Sequence, residues 1–155
     1  MTHIDRIDRE ILVLLARNAR TTNKDLAAAV GLSQSACLER VRRLDAAGVL
    51  RGSHADIDPH ALGIGVQALV AVKLKQHNRN SVDRFEKAAL GLPQVVALYH
   101  TTGESDFVAH VVARDMDHLR DFTLDAIALS PVAHVQTSLI FNDMRKPGWP
   151  DLTVE

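Results

Sequence analysis

Gly31-Leu32-Ser33-Gln34-Ser35-Ala36-Cys37-Leu38-Glu39-Arg40-Val41-Arg42-Arg43-Leu44 reads as the turn and second helix of a helix-turn-helix. A glycine can take the left-handed conformation that ends a helix, so Gly31 closes the helix before it. Ser33 stands two residues later as the next N-cap, where a hydroxyl accepts one of the orphan N–H groups. From Gln34 to about Ala47, Cys37, Val41 and Leu44 recur at spacings of four and three and mark one buried stripe. Ser35, Leu38, Glu39, Arg42 and Arg43 fall on the opposite side. Upstream, Thr22 with Asp25 resembles a capping box, and Leu26, Ala27 and Val30 face inward. Asp5 caps a first helix, with Asp8 in its first turn and Ile7, Ile11, Leu14 and Leu15 as its apolar stripe.

The outward side of the second helix has the chemistry of a major-groove reader. Gln34 and Ser35 sit at its leading end, and Gln pairs bidentately with adenine. Arg42 and Arg43 lie further along, within reach of guanine or of phosphate. Thr21, Thr22, Lys24 and Ser33 supply short polar groups and a cation at helix starts, where phosphates bind. Arg51 stands where a wing would touch the flanking backbone. The formal charge of the whole chain is -1, but residues 20–51 carry six Lys/Arg against three Asp/Glu, while residues 61–155 carry nine against eleven. Affinity for a polyanion therefore belongs to the first third. The alternative is a basic surface helix in a three-helix bundle. Arg40, near the edge of the buried stripe, reads as a structural ion-pair partner, and Cys37 as a small core residue.

Beyond Gly48 the pattern changes. Val49–Ile57 has β character and Asp58-Pro59 breaks it. This gives a winged helix-turn-helix over residues 1–58, a linker over 59–65 with Pro59, Gly63 and Gly65, and a second domain over 66–155. That domain reads β-α-β-β-α-β. Val66–Lys75 alternates, a turn at Asn78-Arg79-Asn80 leads to a helix capped by Ser81, and strands follow over Val95–Thr102 and Asp106–Ala113. Asp115 caps a helix burying Leu119, Phe122 and Ile127, Ser130-Pro131 breaks it, and Val132–Phe141 is a last strand. The fold class is α+β, with a ferredoxin-like second domain. Leu69, Ala71, Val95, Ala97, Tyr99, Phe107, Ala109, Val111, Val135, Leu139 and Phe141 are assigned to the sheet face away from the helices. So much apolar surface calls for a partner, most simply a second copy in a symmetric dimer; the alternative is a monomer with a partly apolar open face.

Other function classes find little support. The eight histidines show no His-x-x-x-His spacing, and there is no Cys-x-x-Cys, phosphate loop or nucleophile elbow, so neither an enzyme nor a bound cofactor is expected. One cysteine excludes an internal disulfide and fits a reducing cytoplasm. No apolar run approaches the roughly 18 residues of a membrane span, and the N-terminus lacks a secretory h-region.

Asp8–Leu15, Asp25-Leu26-Ala27, Gly31-Leu32-Ser33, Arg40–Leu44, Gly48-Val49-Leu50, Asp58-Pro59 with Leu62-Gly63, then Pro93-x-Val95, Tyr99 and Thr102-Gly103-Glu104-Ser105-Asp106-Phe107 together resemble the Lrp/AsnC family of leucine- and asparagine-responsive regulators. The resemblance runs from about Asp5 to Phe141. It implies a winged helix-turn-helix on double-stranded DNA, a ferredoxin-like regulatory domain, homodimers that assemble further, commonly into octamers, and an amino-acid effector at the interface between regulatory domains. It places the effector loop at Gly103–Asp106, with residues of the last strand approaching, so that Thr137 and Ser138 join the site. The family often has an aromatic residue where this chain has Ser105, a departure that bears on ligand choice. Chemistry agrees in part. Gly103 permits close backbone approach, Asp106 suits an α-ammonium group or a turn cap, and Thr101, Thr102, Thr137 and Ser138 offer hydroxyls beside apolar walls. Read without the resemblance, Gly103–Asp106 is a plain hairpin turn. His100 and His110 nearby read as sheet histidines or as groups that tune the pocket. A DNA-binding architectural protein with no effector is the remaining alternative.

Overall fold

The computed structural model describes residues 3–128, 131–146, 148 and 150, with residues 127 and 128 described by their backbone only. The chain divides into two compact units, residues 1–55 with 144–155, and residues 56–143. The tail beyond Asp143 thus groups with the helical unit, where the sequence reading assigns it to the second domain.

The helical unit holds α1 (Arg6–Arg17), α2 (Asn23–Val30) and α3 (Gln34–Ala46), and each start is set by the residue that the sequence offers. Asp5 accepts the Asp8 N–H at 2.8 Å, while the Asp8 carboxylate takes the Asp5 N–H at 3.2 Å, a reciprocal capping box. Thr22 accepts from the Asp25 N–H and Ser33 from the Ala36 N–H. Gly31 ends α2 with φ +69°, a conformation that L side chains resist. Ile11, Leu26, Ala27, Cys37 and Leu44 form the buried core. Burial pushes the Cys37 thiol up, with Arg40 a smaller opposing influence, as suits a small core residue.

That core also contains a charge. Asp8 is fully buried at the side chain and is gripped by two guanidinium groups of α3, Arg40 at 2.9 Å and Arg43 at 2.5 Å. Arg40 reaches Asp5 as well, at 2.6 Å. The Arg40 hydrogen bond, then the Asp8 N–H, hold the Asp5 carboxyl at about 2, well below the usual aspartate value. The clasp fixes α3 against the start of α1, as the sequence reading of Arg40 expects.

The expected strand over Val49–Ile57 does not form. Residues 51–58 have no regular structure, and the helix-turn-helix stands without the strand a wing requires. Val49, Leu50 and Ile57 favour a strand, but among the described residues no second strand pairs with this run. A 3-10 turn over Pro59–Leu62, capped by Asp58, occupies the start of the expected linker.

The second unit is a four-stranded antiparallel sheet ordered β2-β3-β1-β4, with β1 (Val66–Leu74), β2 (Val95–His100), β3 (Phe107–Ala113) and β4 (Val132–Leu139). Helices α4 (Arg79–Leu90) and α5 (Met116–Ala128) complete the βαββαβ order. Asn78, not Ser81, caps α4, accepting the Ser81 N–H at 2.9 Å, so the helix starts three residues earlier than expected. Asp115 accepts the His118 N–H at the start of α5. The Ile127 side chain and Ser130, both assigned roles from sequence, lie outside the described residues.

The helix-side core joins Ala68, Val70, Val72 and Leu74 of β1 to Phe107, Ala109, Val111 and Ala113 of β3. The expected sheet faces need correcting here. Phe107, Ala109 and Val111 point toward the helices, Val95 and Val135 pack on the same core, and Leu139 pairs with Ala68. The reason is that Phe107–Ala113 is apolar almost throughout, so its sequence does not reveal parity, and the register on β1 decides it. Leu69, Ala71, Ala97, Tyr99, Val108, His110 and Val112 occupy the open face. Phe141 follows β4 and is exposed.

Asp8→Ala strands two guanidinium groups and should destabilise the helical unit by about 2–3 kcal/mol. This is less than the roughly 3–5 kcal/mol of a fully buried pair, because Arg43 can rehydrate. Arg6→Ala, which removes the exposed pair with Glu10, should cost under about 0.5 kcal/mol. Urea unfolding followed by helical circular dichroism checks both. Equal effects would mean that the clasp adds nothing beyond a surface pair.

Candidate nucleic-acid interface and effector loop

The start of α3 is held from two sides. Ser33 caps it and lies 3.1 Å from the Ser35 hydroxyl, and the Asn23 amide donates to the Gln34 carbonyl at 2.8 Å. The second contact ties the first turn of α2 to the first turn of α3 across the Gly31 bend. The sequence reading passes over Asn23, because an asparagine next to a threonine cap carries no signal of an eleven-residue reach.

With Asp8 behind it and Asn23 at its head, α3 exposes Gln34, Ser35, Leu38, Glu39 and Arg42. These are the residues expected on its outer side, with one exception. Arg43 is committed to Asp8, although its side chain is 48% exposed, and that pairing offsets its positive charge at the surface. The threonines divide their duties. The Thr21 hydroxyl donates to the Asn18 carbonyl, and the Thr22 hydroxyl caps α2 and donates to Asp25. Lys24 is exposed, as is Arg51 beyond Gly48. A helix whose first turns carry an amide, a hydroxyl and, two turns on, a guanidinium can pair with base edges and then with the backbone of a duplex.

The effector loop is the β2–β3 hairpin. The Thr101 N–H donates to the Asp106 carbonyl and the Thr101 hydroxyl to the Ser105 carbonyl, closing the turn over the exposed Gly103 at φ +113°. Thr102 and Glu104 are exposed, and Ser105 is half-buried. Asp106 is buried, and its carboxylate is engaged by β1 and the residues just beyond it rather than capping the turn. One oxygen accepts the Leu74 N–H at 2.7 Å; the other takes Lys73 Nζ at 3.3 Å and His77 Nδ1 at 3.0 Å. Its own N–H donates to the Val72 carbonyl. Burial works against ionisation here, but the Leu74 N–H, Lys73 and His77 outweigh it and hold the carboxyl below the usual aspartate value. Lys73 and His77 were not expected at this loop, because they reach it only through the antiparallel register of β1 on β3.

Two histidines extend the cluster. His100 stacks on Phe107 at 4.6 Å, lies 5.4 Å from the His77 ring and 3.9 Å from Glu86. His110 is on the opposite face, 2.9 Å from the Gln67 side-chain oxygen, a satisfied sheet histidine. The last-strand residues separate too. Thr137 pairs with Val70, whose side faces the helices, and Ser138 with Leu69 on the open face. Among the described residues no group of three or more His, Cys, Asp or Glu could hold a metal ion, and no helix is long and apolar enough to cross a membrane.

The lowered Asp106 value sets a sign for pH dependence. The stabilisation from this carboxylate is complete above the unfolded aspartate pKa near 3.9 and is lost as pH falls through the folded value. The gap in urea midpoint between the unsubstituted chain and Asp106→Asn should therefore narrow progressively below about pH 4. A gap that stays constant with pH would mean that the clasp depends on shape rather than charge.

Residues 4–45 match the AsnC-type helix-turn-helix domain and residues 67–150 the Lrp/AsnC ligand binding domain. The chain is 45% identical over 143 residues to the HTH-type transcriptional regulator AldR of Mycolicibacterium smegmatis, covering 92% of this chain and 84% of that one. It is similar to a transcriptional regulator of Neisseria meningitidis solved as an L-Met complex, at 29% identity and a TM-score of 0.85, over 96% of this chain and 97% of the other. The feast or famine regulatory protein of M. tuberculosis complexed with L-methionine matches at 29% identity and a TM-score of 0.80, over 98% and 99% of the two chains. With its helix-turn-helix and its four-stranded sheet each matching a domain of that family in the same order, the chain belongs to the Lrp/AsnC family of transcriptional regulators.

Proposed function

We propose that this chain regulates transcription in the cytoplasm as a homodimer that assembles further, to an octamer, and binds duplex DNA through the outer face of α3. The observation that carries this reading is the exposed row Gln34, Ser35, Leu38, Glu39 and Arg42 on a helix held rigidly from behind by Asp8. Gln34 and Ser35 read base edges; Arg42 binds phosphate; Thr21, Thr22, Lys24, Ser33 and Arg51 line the backbone path. Arg43 contributes mainly through the clasp. Leu69 and Tyr99, both exposed on the open sheet face, favour a second copy against that face.

The same reading gives the β-rich unit an amino-acid effector. Thr101, Thr102, Gly103, Glu104, Ser105 and Asp106 form its site, with Ser138 on the open face of β4 and Thr137, on the helix side, set apart from it; the L-methionine complexes of two similar regulators support that ligand class. Because the Asp106 carboxylate is engaged by Leu74, Lys73 and His77, it acts by shaping the loop, while the exposed Thr102, Gly103 and Glu104 offer the rim that meets a ligand.

Two measurements test this. In titrations of operator DNA across a salt series, Arg42→Ala should lower the salt slope by about one. Gln34→Ala should leave the slope unchanged and relax discrimination at one base by about 1–3 kcal/mol. An unchanged slope for Arg42→Ala removes that residue from the phosphate path. In thermal unfolding against the twenty amino acids, an effector present at 100 times its Kd should stabilise the protein by about 2.7 kcal/mol. No shift with any of them leaves a DNA-binding protein without an amino-acid effector.

A further inference from the structure

An acid stands in the middle of the face that α3 turns outward. Ser35, Glu39 and Arg42 follow one another at spacings of four and three, so they form one row along the helix, on the side away from Cys37 and Leu44. Glu39 is exposed. A glutamate on a helix pairs best with a lysine or arginine four residues on, which here is Arg43. Arg43 is turned to Asp8 instead, and Arg40 holds Asp5 and Asp8. Arg42 makes no ion pair with Glu39, and among the described residues no other group takes its carboxylate.

A bare carboxylate on a surface that meets a duplex has few favourable neighbours. Every phosphate repels it. In the major groove the base edges offer two kinds of donor, N4 of cytosine and N6 of adenine, whereas guanine and thymine present acceptors. Over adenine the second carboxylate oxygen would face the N7 acceptor beside N6. Over cytosine it faces a C–H. Cytosine is therefore the edge that suits Glu39.

We infer that Glu39 is a specificity-determining residue that selects cytosine opposite the second turn of α3, accepting a hydrogen bond from its N4 and repelling guanine and thymine. The inference rests on the DNA-binding reading above and divides the row by role: Ser35 tolerates, Arg42 attracts and Glu39 excludes. The cost falls on non-specific sites, where the carboxylate finds no donor, so discrimination is gained against general affinity. The buried clasp and the base reading are linked through Arg43, since a guanidinium committed to Asp8 does not neutralise Glu39.

The test uses the full chain and selection from a pool of duplexes with a randomised core of about 20 base pairs, room for two half-sites one helical turn apart. Selected sequences are then measured by fluorescence anisotropy. For the unsubstituted chain, replacing the selected C·G pair read by Glu39 should weaken binding roughly ten- to a hundred-fold. Glu39→Ala should level that position to within about three-fold between bases and should tighten binding to a mixed-sequence duplex. Glu39→Gln should move the preference at the same position to adenine, which an amide pairs bidentately. Alanine and glutamine are good helix formers, so the melting temperature should hold. If both variants select the same bases as the unsubstituted chain at every position, the inference is refuted while the DNA-binding reading stands. It is refuted as well if Glu39→Ala levels all positions together, since Glu39 then supports the helix and reads no base, or if the position it controls is an A·T pair. If the unsubstituted chain binds duplex but enriches no sequence, the inference alone fails. If it shows no salt-dependent binding to any duplex, the DNA-binding reading fails and the inference with it.

Discussion

A carboxylate with no access to water, held between two arginines, organises the helical unit. Five fully buried apolar side chains, with partly buried ones packed around them, hold the three helices together, but apolar contacts are non-directional and do not by themselves fix one helix's rotation on another. Asp8 supplies what the apolar contacts lack. Its two oxygens accept from Arg40 and Arg43, one turn apart on α3, which fixes both the rotation of that helix and its position along α1. The capping box at Asp5 locks the carboxylate in turn, and Asn23 pins the other end of α3. Buried ion pairs often contribute little net stability but favour one geometry over its neighbours. For a helix that must lay particular residues against a partner, that selectivity matters more than raw stability.

Much of this was legible in the residues. Capping positions Asp5, Thr22, Ser33 and Asp115 were readable because a short polar side chain before an apolar period has one common use. Arg40 betrayed its pairing by sitting at the margin of the buried stripe. The βαββαβ order followed from changes of period and from turn residues. What escaped detection depended on long-range register. Phe107–Ala113 is too uniformly apolar to declare which side faces the helices, so half of the residues assigned to the open face belong to the core. Lys73 and His77 come to Asp106 through strand pairing. The Val49–Ile57 strand failed for a related reason: strand propensity is only half of a strand, since a ladder needs a neighbour.

The effector loop holds its acid differently from what its residue types suggest. As a sequence, Gly103–Asp106 suggests an acid waiting for an ammonium group. As a structure, Asp106 already has three donors, one of them a lysine that stands in for the cation. The loop is thereby anchored to β1 at one end and capped by the Thr101 hydroxyl bond at the other, which leaves its middle as the adaptable part. The small, half-buried Ser105 side chain sits in that middle.

The alternation along β4 has an evolutionary corollary. Thr137 and Ser138 are neighbours in the gene but report to opposite surfaces of one sheet. A substitution at either is screened from the other by the thickness of the backbone. Mutations that retune what lies beneath the helices can therefore accumulate without disturbing what meets the bare side, and one strand can drift along two independent paths.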